Sequence, residues 1–383
     1  MSTHLPHLPP GRRSPGRPVT ANRLLLAGAM LALLTACQPP VSLDDDVAPS
    51  AGDGAVYAAF GDSYSAGEGT NSYLPGTDAP GTNVCHRSTV AYSQLLATGL
   101  NVVSDGFVAC SGAVTADMFH PNNNKNQEPD GSLEPAQLCQ LDAEHGVDAC
   151  GSSRKPVLGP ATKLVTLTIG GNDAGLAKVV QTCVFGDAGR YRIGLPGRGC
   201  RDDPTTINRT LRRIKALAGE GSDSSPYGSQ IYPLTTVLEA IHATAPDAHV
   251  YIAGYPKVFQ PTLKEDCVVG SATSKATTFP LKVAAADAQA LDHAAELLNA
   301  AVLAATRAAG SWATYVDVTT TFAGHGLCGA SSWINPVAAT VTLDSQGRTL
   351  SLAPSSGSLH PTREGQQGGY ETGFLAAGMS APR

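Results

Sequence analysis

The chain has 383 residues and a formal net charge of −6 at pH 7, a length that suits one large domain or two small ones. The mildly acidic balance leaves no basic footprint for nucleic acid. Nine cysteines occur without a C-x-x-C pair, so zinc-type spacing is absent and no metal or cofactor is called for.

In chain order, residues 1–23 hold five prolines and four arginines, and Leu24–Ala36 is an apolar run of 13 residues broken only by Thr35. A membrane span needs about 20 residues. A basic stretch followed by a short apolar one is instead the pattern of a secretory signal. The run ends Leu34-Thr35-Ala36-Cys37, which is similar to a bacterial lipobox, in which the cysteine is lipidated and becomes the first mature residue. The alternative is a plain signal peptide cut nearby. Residues 1–36 are thus expected to be a signal peptide. Residues 37–54, rich in Pro, Asp, Gly and Ala, are expected to be a tether with too little apolar surface to fold. Residues 55–383 form the expected folded domain.

Val56-Tyr57-Ala58-Ala59-Phe60-Gly61 is an apolar run stopping at glycine, the pattern of a buried strand entering a tight turn. Ala91–Leu100 reads as a helix and Asn101–Val108 as a second strand. Residues 113–160 read mostly as loop. Leu164–Ile169 is a third strand, closed by Gly170-Gly171-Asn172-Asp173. Residues 207–218 and 233–245 read as helices, and His249–Ala253 as a fourth strand. Val283–Ala309 has helical spacing throughout, Thr314–Val318 reads as a fifth strand, and a closing helix follows Pro361. Strands alternating with helices imply a parallel sheet of about five strands in a three-layer α/β/α sandwich. In such sheets ligands bind at the carboxyl ends of the strands.

Four blocks stand at or beyond those ends. They are Gly61-Asp62-Ser63, Gly112 within Ala109-Cys110-Ser111-Gly112-Ala113, Gly171-Asn172-Asp173, and His360-Pro361. In this order and spacing the chain resembles the SGNH (GDSL-type) hydrolase family over most of residues 55–380. It is most similar to the disulfide-rich actinobacterial esterases and lipases, on Gly61-Asp62-Ser63-Tyr64-Ser65, Gly67-Glu68-Gly69, Ala323-Gly324-His325-Gly326 and Trp333-Ile334-Asn335. The resemblance implies a flavodoxin-like strand order, 2-1-3-4-5, and a carboxylic ester hydrolase.

The chemistry fits those residue types. A serine hydroxyl needs a base to take its proton, and the resemblance gives that role to His360 with Ser63 as nucleophile. The tetrahedral intermediate needs donors aimed at its oxyanion. The resemblance assigns the backbone N–H groups of Ser63 and Gly112 and the side-chain amide of Asn172. Simpler readings exist for two of these, Gly112 as a turn glycine and Asn172 as a helix N-cap. Asp173 and Asp62 are assigned to structure. His325 is the rival base, although its place beside Cys328 suits a pinned loop.

The chain departs from the family pattern at the last block. The common form carries Asp three residues before His. Here Gly357-Ser358-Leu359-His360 has no acid between Arg348 and Glu364. A main-chain carbonyl near Gly357 is ranked first as the acceptor that orients His360, with Asp317 as the alternative. Setting Cys37 aside leaves eight of the nine cysteines, an even number in an exported chain. The resemblance together with proximity suggests Cys85–Cys110, Cys139–Cys150, Cys183–Cys200 and Cys267–Cys328. The expected protein is therefore a lipid-anchored or secreted esterase or lipase, a monomer acting on a lipid or small acyl ester. Rival readings are a carbohydrate O-acetyl esterase, acyl transfer to an alcohol, and a surface binding lipoprotein without turnover.

Overall fold

Tyr57–Gly61 (β1) is buried at every position, as a strand covered on both faces must be. It pairs in parallel with Gly106–Phe107 (β2) on one side and with Leu164–Thr168 (β3) on the other. His249–Ala253 (β4) pairs with β3, and Ala313–Val316 (β5) with β4, again in parallel. The strand order is 2-1-3-4-5, as the resemblance implied. This computed structural model describes residues 55–382, apart from 80–82, 128–132, 139–140, 143–146, 149–155, 186–202, 260–262, 264, 276 and 344–348. The expected signal peptide, Cys37 and the whole tether lie outside the described residues.

Helices connect the strands. They are Ser63–Ala66 (α1), Tyr92–Leu100 (α2), Gly171–Ala174 (α3), Leu176–Phe185 (α4), Pro204–Leu217 (α5), Leu234–Thr244 (α6), Ala285–Ala309 (α7) and Thr372–Ala376 (α8). A π-helical segment, Gly365–Glu371, leads into α8. Side chains of a strand alternate between its faces, and β1 divides its residues accordingly. Tyr57 and Ala59 pack with Tyr92 and Leu96 of α2, Tyr370 and Phe374. Ala58 and Phe60 pack with Leu217 of α5, Leu238 of α6 and Leu298 of α7. Helices thus cover both faces, which gives the three layers. Fully burying one such large apolar side chain contributes about 1.5–3 kcal/mol.

The structure differs from expectation in three places. The second strand shrinks to Gly106–Phe107, because Asn101 ends α2 in the left-handed region (φ 54°) and turns the chain before it can pair. Within the stretch expected as loop, Asn122–Gln127 pairs antiparallel with Leu133–Glu134, and Leu141–Asp142 with Val147–Asp148. A second, four-stranded sheet was not expected. Its order is 277–283, 267–274, 337–343, 349–354. Val269, Leu281, Val283, Val337 and Val341 from it join the core on the α2 side. Its last hairpin delivers the chain to residues 355–360. Among the described residues no helix is long and apolar enough to cross a membrane.

Candidate active site

The carboxyl end of β1 is shaped by backbone requirements. Gly61 sits at φ 118°, where a Cβ would run into the Thr168 main chain, so only glycine fits. The buried amide of Gln137 serves both polar groups of Gly61, accepting from its N–H at 2.7 Å and donating to its carbonyl at 2.8 Å. Asp62 then caps α1. Its Oδ1 accepts from the Tyr64 N–H at 3.0 Å and from the Thr168 hydroxyl at 2.7 Å, while the Tyr255 hydroxyl donates to Oδ2. Asp62 is 1 % exposed. Burial pushes its carboxyl pKa up, opposed by those three donors. Its place is therefore structural, beneath the turn that presents Ser63 as the first helical residue.

His360 comes to Ser63 from 297 residues away in sequence, with Nε2 at 2.7 Å from the Ser63 hydroxyl. On the far side of the ring, Nδ1 lies 3.1 Å from the Ser358 carbonyl oxygen. That acceptor is one residue on from the expected Gly357. Asp317 is engaged elsewhere, its Oδ1 accepting from the Thr319 N–H and hydroxyl at 2.9 and 2.6 Å. The loop that carries His360 is clamped at several points. Leu359 adopts φ 65°, a costly conformation for a branched side chain. The Tyr64 hydroxyl donates to the Leu359 carbonyl at 2.9 Å. The Asn335 amide donates to the carbonyls of His360 at 3.1 Å and Gly69 at 3.0 Å. His325 stands elsewhere, stacked on Trp333 with ring centroids 3.5 Å apart and Nδ1 at 2.8 Å from the Ser331 carbonyl.

Gly112 adopts φ 81° two residues after Cys110, which is bonded to Cys85. Asn172 lies inside α3, and Gly170 holds the cap position. The Asn172 amide donates to the Ala113 carbonyl at 3.0 Å. One N–H is used there, and an amide nitrogen carries two. The bond also ties the Asn172 turn to the Gly112 turn. Asp173 is buried beneath, accepting from the Thr115 hydroxyl at 2.7 Å and its N–H at 3.0 Å. Burial pushes its carboxyl up to about 7 against those bonds.

Ser63, Gly112, Asn172 and His360 all line one cavity of about 740 Å³. Much of its wall is apolar, including Val84, Leu176, Val180, Val258 and Leu291. Glu68, His86 and Ser111 also line it, although the sequence reading gave them no role. Glu68 is 2 % exposed. It accepts from the Ser111 hydroxyl and meets His86 Nδ1 at 3.0 Å. Glu68 falls within a quoted motif, but its partners are remote in sequence and nothing local signals them.

Cys267 is bonded to Cys328, tying the second sheet to the loop after β5. Cys183 is disulfide-bonded, but its expected partner Cys200 lies outside the described residues, as do Cys139 and Cys150. No group of three His, Cys, Asp or Glu side chains is gathered for a metal among the described residues.

The profile of the GDSL-like Lipase/Acylhydrolase family matches residues 59–367. The chain is 32% identical over 322 residues to Lipase 1 of Streptomyces coelicolor, covering 84% of this chain and 85% of that one. It is 31% identical over 317 residues to a lipase of Streptomyces rimosus, covering 82% and 83%. Among solved structures, phospholipase A1 from Streptomyces albidoflavus aligns with a TM-score of 0.54 at 28% identity, over 85% of this chain and 99% of that one. An extracellular lipase from Streptomyces rimosus aligns with the same TM-score, 0.54, at 27% identity over 84% and 98%. The match runs from β1 through the His360 block, and the chain belongs to the GDSL-like lipase/acylhydrolase family of ester hydrolases.

Proposed function

We propose that this ester hydrolase works through a Ser63–His360 dyad, without a side-chain acid on the histidine. The observation that carries the proposal is the chain of contacts Ser63 Oγ–His360 Nε2 at 2.7 Å and His360 Nδ1–Ser358 O at 3.1 Å. The carbonyl accepts the Nδ1 proton and so fixes the tautomer in which Nε2 is free to take a proton. Ser63 Oγ attacks the ester carbonyl carbon as its proton passes to Nε2. The oxygen of the tetrahedral intermediate takes hydrogen bonds from the N–H groups of Ser63 and Gly112 and from the second amide N–H of Asn172. Collapse breaks the ester C–O bond, and the imidazolium returns the proton to the leaving alcohol. Water, deprotonated by the same nitrogen, then hydrolyses the acyl-enzyme and restores Ser63.

The apolar wall suits the acyl chain of a lipid or other acyl ester, which favours an esterase or lipase over an acetyl-specific enzyme. The protein is exported, which agrees with the disulfides and with the extracellular Streptomyces rimosus lipase it is similar to. Cys37 is the lipid attachment point, and residues 38–54 are the spacer between membrane and enzyme. The test is hydrolysis of p-nitrophenyl esters of graded acyl length by wild type and Ser63→Ala. Wild-type turnover that is blocked by a serine-reactive phosphonate and lost in folded Ser63→Ala is expected. Near wild-type turnover in that variant removes Ser63 from the reaction.

A further inference from the structure

A histidine oriented by a main-chain carbonyl lacks the fixed negative charge that a side-chain acid sets beside the imidazolium. Glu68 stands where such a charge would act. It precedes Gly69, and a Cβ on Gly69 would lie 3.0 Å from the His360 Cβ. The residue is 2 % exposed in the cavity wall, and its carboxyl is held on several sides. Oε2 accepts from the Ser111 hydroxyl, Oε1 meets His86 Nδ1 at 3.0 Å, and the Ser356 side chain is a further hydrogen-bond partner. Behind it, His86 Nε2 lies 3.3 Å from Asp78 Oδ1, and the ring stacks on Tyr73 at 4.8 Å. His86 itself adopts φ 51°, an uncommon backbone conformation outside glycine. One carboxyl therefore touches the turn that carries Gly112, through Ser111, and the loop that carries His360, through Ser356.

We propose that Glu68, gripped by His86, is a positioning residue for the reaction. It fixes the Ser111–Gly112 turn against the Ser356–His360 loop, and it supplies the negative charge that balances the imidazolium once Ser63 has given up its proton. The proposal rests on the Ser63–His360 reading above. The carboxyls of Asp62 and Glu68 both feel the charge of His360. Burial pushes the Asp62 carboxyl up, against its three donors. Burial pushes Glu68 the same way, but the hydrogen bond from His86 and the charges of His360 and His86 outweigh it and hold the carboxyl below its usual range. Glu68 is thus the anion that persists as pH falls. The titratable groups facing it are His86, with Asp78 behind, His360, and the Tyr73 phenol, the last neutral at ordinary pH.

The experiment compares Glu68→Gln, Ser111→Ala and Glu68→Asp in the full chain on a short soluble ester, with the fold checked by near-UV circular dichroism. All three are expected to lower kcat by about 10- to 100-fold, the scale of a small misplacement of reacting groups, with KM nearly unchanged. Only Glu68→Gln is expected to move the acidic limb of the kcat/KM profile, toward lower pH, because removing an anion favours the neutral base. A purely structural role would not move the limb. Folded Glu68→Gln with wild-type kcat and an unmoved limb overturns the proposal. Where Glu68→Gln does not fold, wild-type kcat in both Ser111→Ala and Glu68→Asp overturns it. Loss of activity in Ser63→Ala beside wild-type behaviour at Glu68 sinks this proposal alone. Retained activity in Ser63→Ala sinks the dyad and the proposal together.

Discussion

Tyr255→Phe removes one oxygen atom from a place where two halves of the site meet. The ring is 4 % exposed. Its hydroxyl donates to Asp62 Oδ2 and accepts from the Gly171 N–H at 3.0 Å. Asp62 directly precedes Ser63, and Gly171 directly precedes Asn172. The variant takes one of three donors from a buried carboxylate, a bond of about 1.5–3 kcal/mol, and leaves a buried N–H unmatched, at about 1–3 kcal/mol. The two bonds share one oxygen and so do not add in full, and a loss of about 2–4 kcal/mol is expected. Under the proposed mechanism catalysis should suffer as well, because the two partners of the lost hydroxyl directly precede Ser63 and Asn172. A fall in kcat of about 10- to 100-fold, with little change in KM for a soluble ester, is expected from a slight shift of either turn. Urea unfolding read by linear extrapolation gives the first quantity. Initial rates normalised to phosphonate-titrated sites give the second. A stability change below about 0.5 kcal/mol together with kcat within twofold of wild type would refute the assignment of Tyr255 as the joint between the two turns.

Four further outcomes are expected. Asn172→Ala should lower kcat by on the order of 10²–10³ through loss of one oxyanion donor, and a change confined to KM would recast Asn172 as a substrate-binding group. His360→Ala should nearly abolish turnover while His325→Ala remains close to wild type, since His325 is committed to Trp333 and Ser331; the reverse ranking in initial rates would move the base to His325. Burial pushes the Asp117 carboxyl up to about 7, so the folded chain keeps a proton that the unfolded chain releases near pH 3.9. That contribution to stability is whole below about pH 4 and is lost as pH rises through about 7, at a slope of up to about 1.4 kcal/mol per unit. Asp117→Asn should flatten the dependence, and identical slopes for the two proteins between pH 4.5 and 8 would contradict it. Cys37→Ser should move the protein from the membrane to the soluble fraction with activity on soluble esters intact, whereas wild type found soluble, with an N-terminus beyond Cys37, would leave an unanchored secreted enzyme.

The sequence displayed the central sheet because buried parallel strands are short apolar runs, and β1, β3 and β4 are such runs ending at glycines. The second sheet was hidden for the same kind of reason. Its strand 267–274 carries Gly270 at φ 157°, where the chain approaches the Val337 main chain. Its strand 277–283 carries Pro280, which a sheet tolerates at an edge, and that strand is indeed at the edge. Glycine and proline break the alternation that marks a strand, and the sequence was given no element there. At the site, Ser63, Gly112, Asn172 and His360 were marked by the family resemblance of their four blocks, and the structure brings all four to one cavity. The clamp around them was not legible. Tyr64 reaches Leu359 across 295 residues and Asn335 reaches Gly69 across 266, and no local pattern encodes such partners.

A carbonyl acceptor for His360 also changes what mutation can reach. The Ser358 side chain is engaged elsewhere, its hydroxyl accepting from the Ala338 N–H at 3.1 Å and donating to the Ala338 carbonyl at 3.2 Å. The oxygen that meets His360 belongs to the main chain and is present whatever amino acid stands at 358. An alanine scan of this loop would therefore pass over the group nearest Nδ1, and any loss at Ser358→Ala would report the hairpin contact instead. Random substitution likewise has no one-step route to deleting the acceptor. It can only displace it, by altering the residues that hold the loop, Tyr64 and Asn335 among them. Weakening the carbonyl itself takes chemistry outside the genetic code, such as an ester in place of the peptide bond between Ser358 and Leu359.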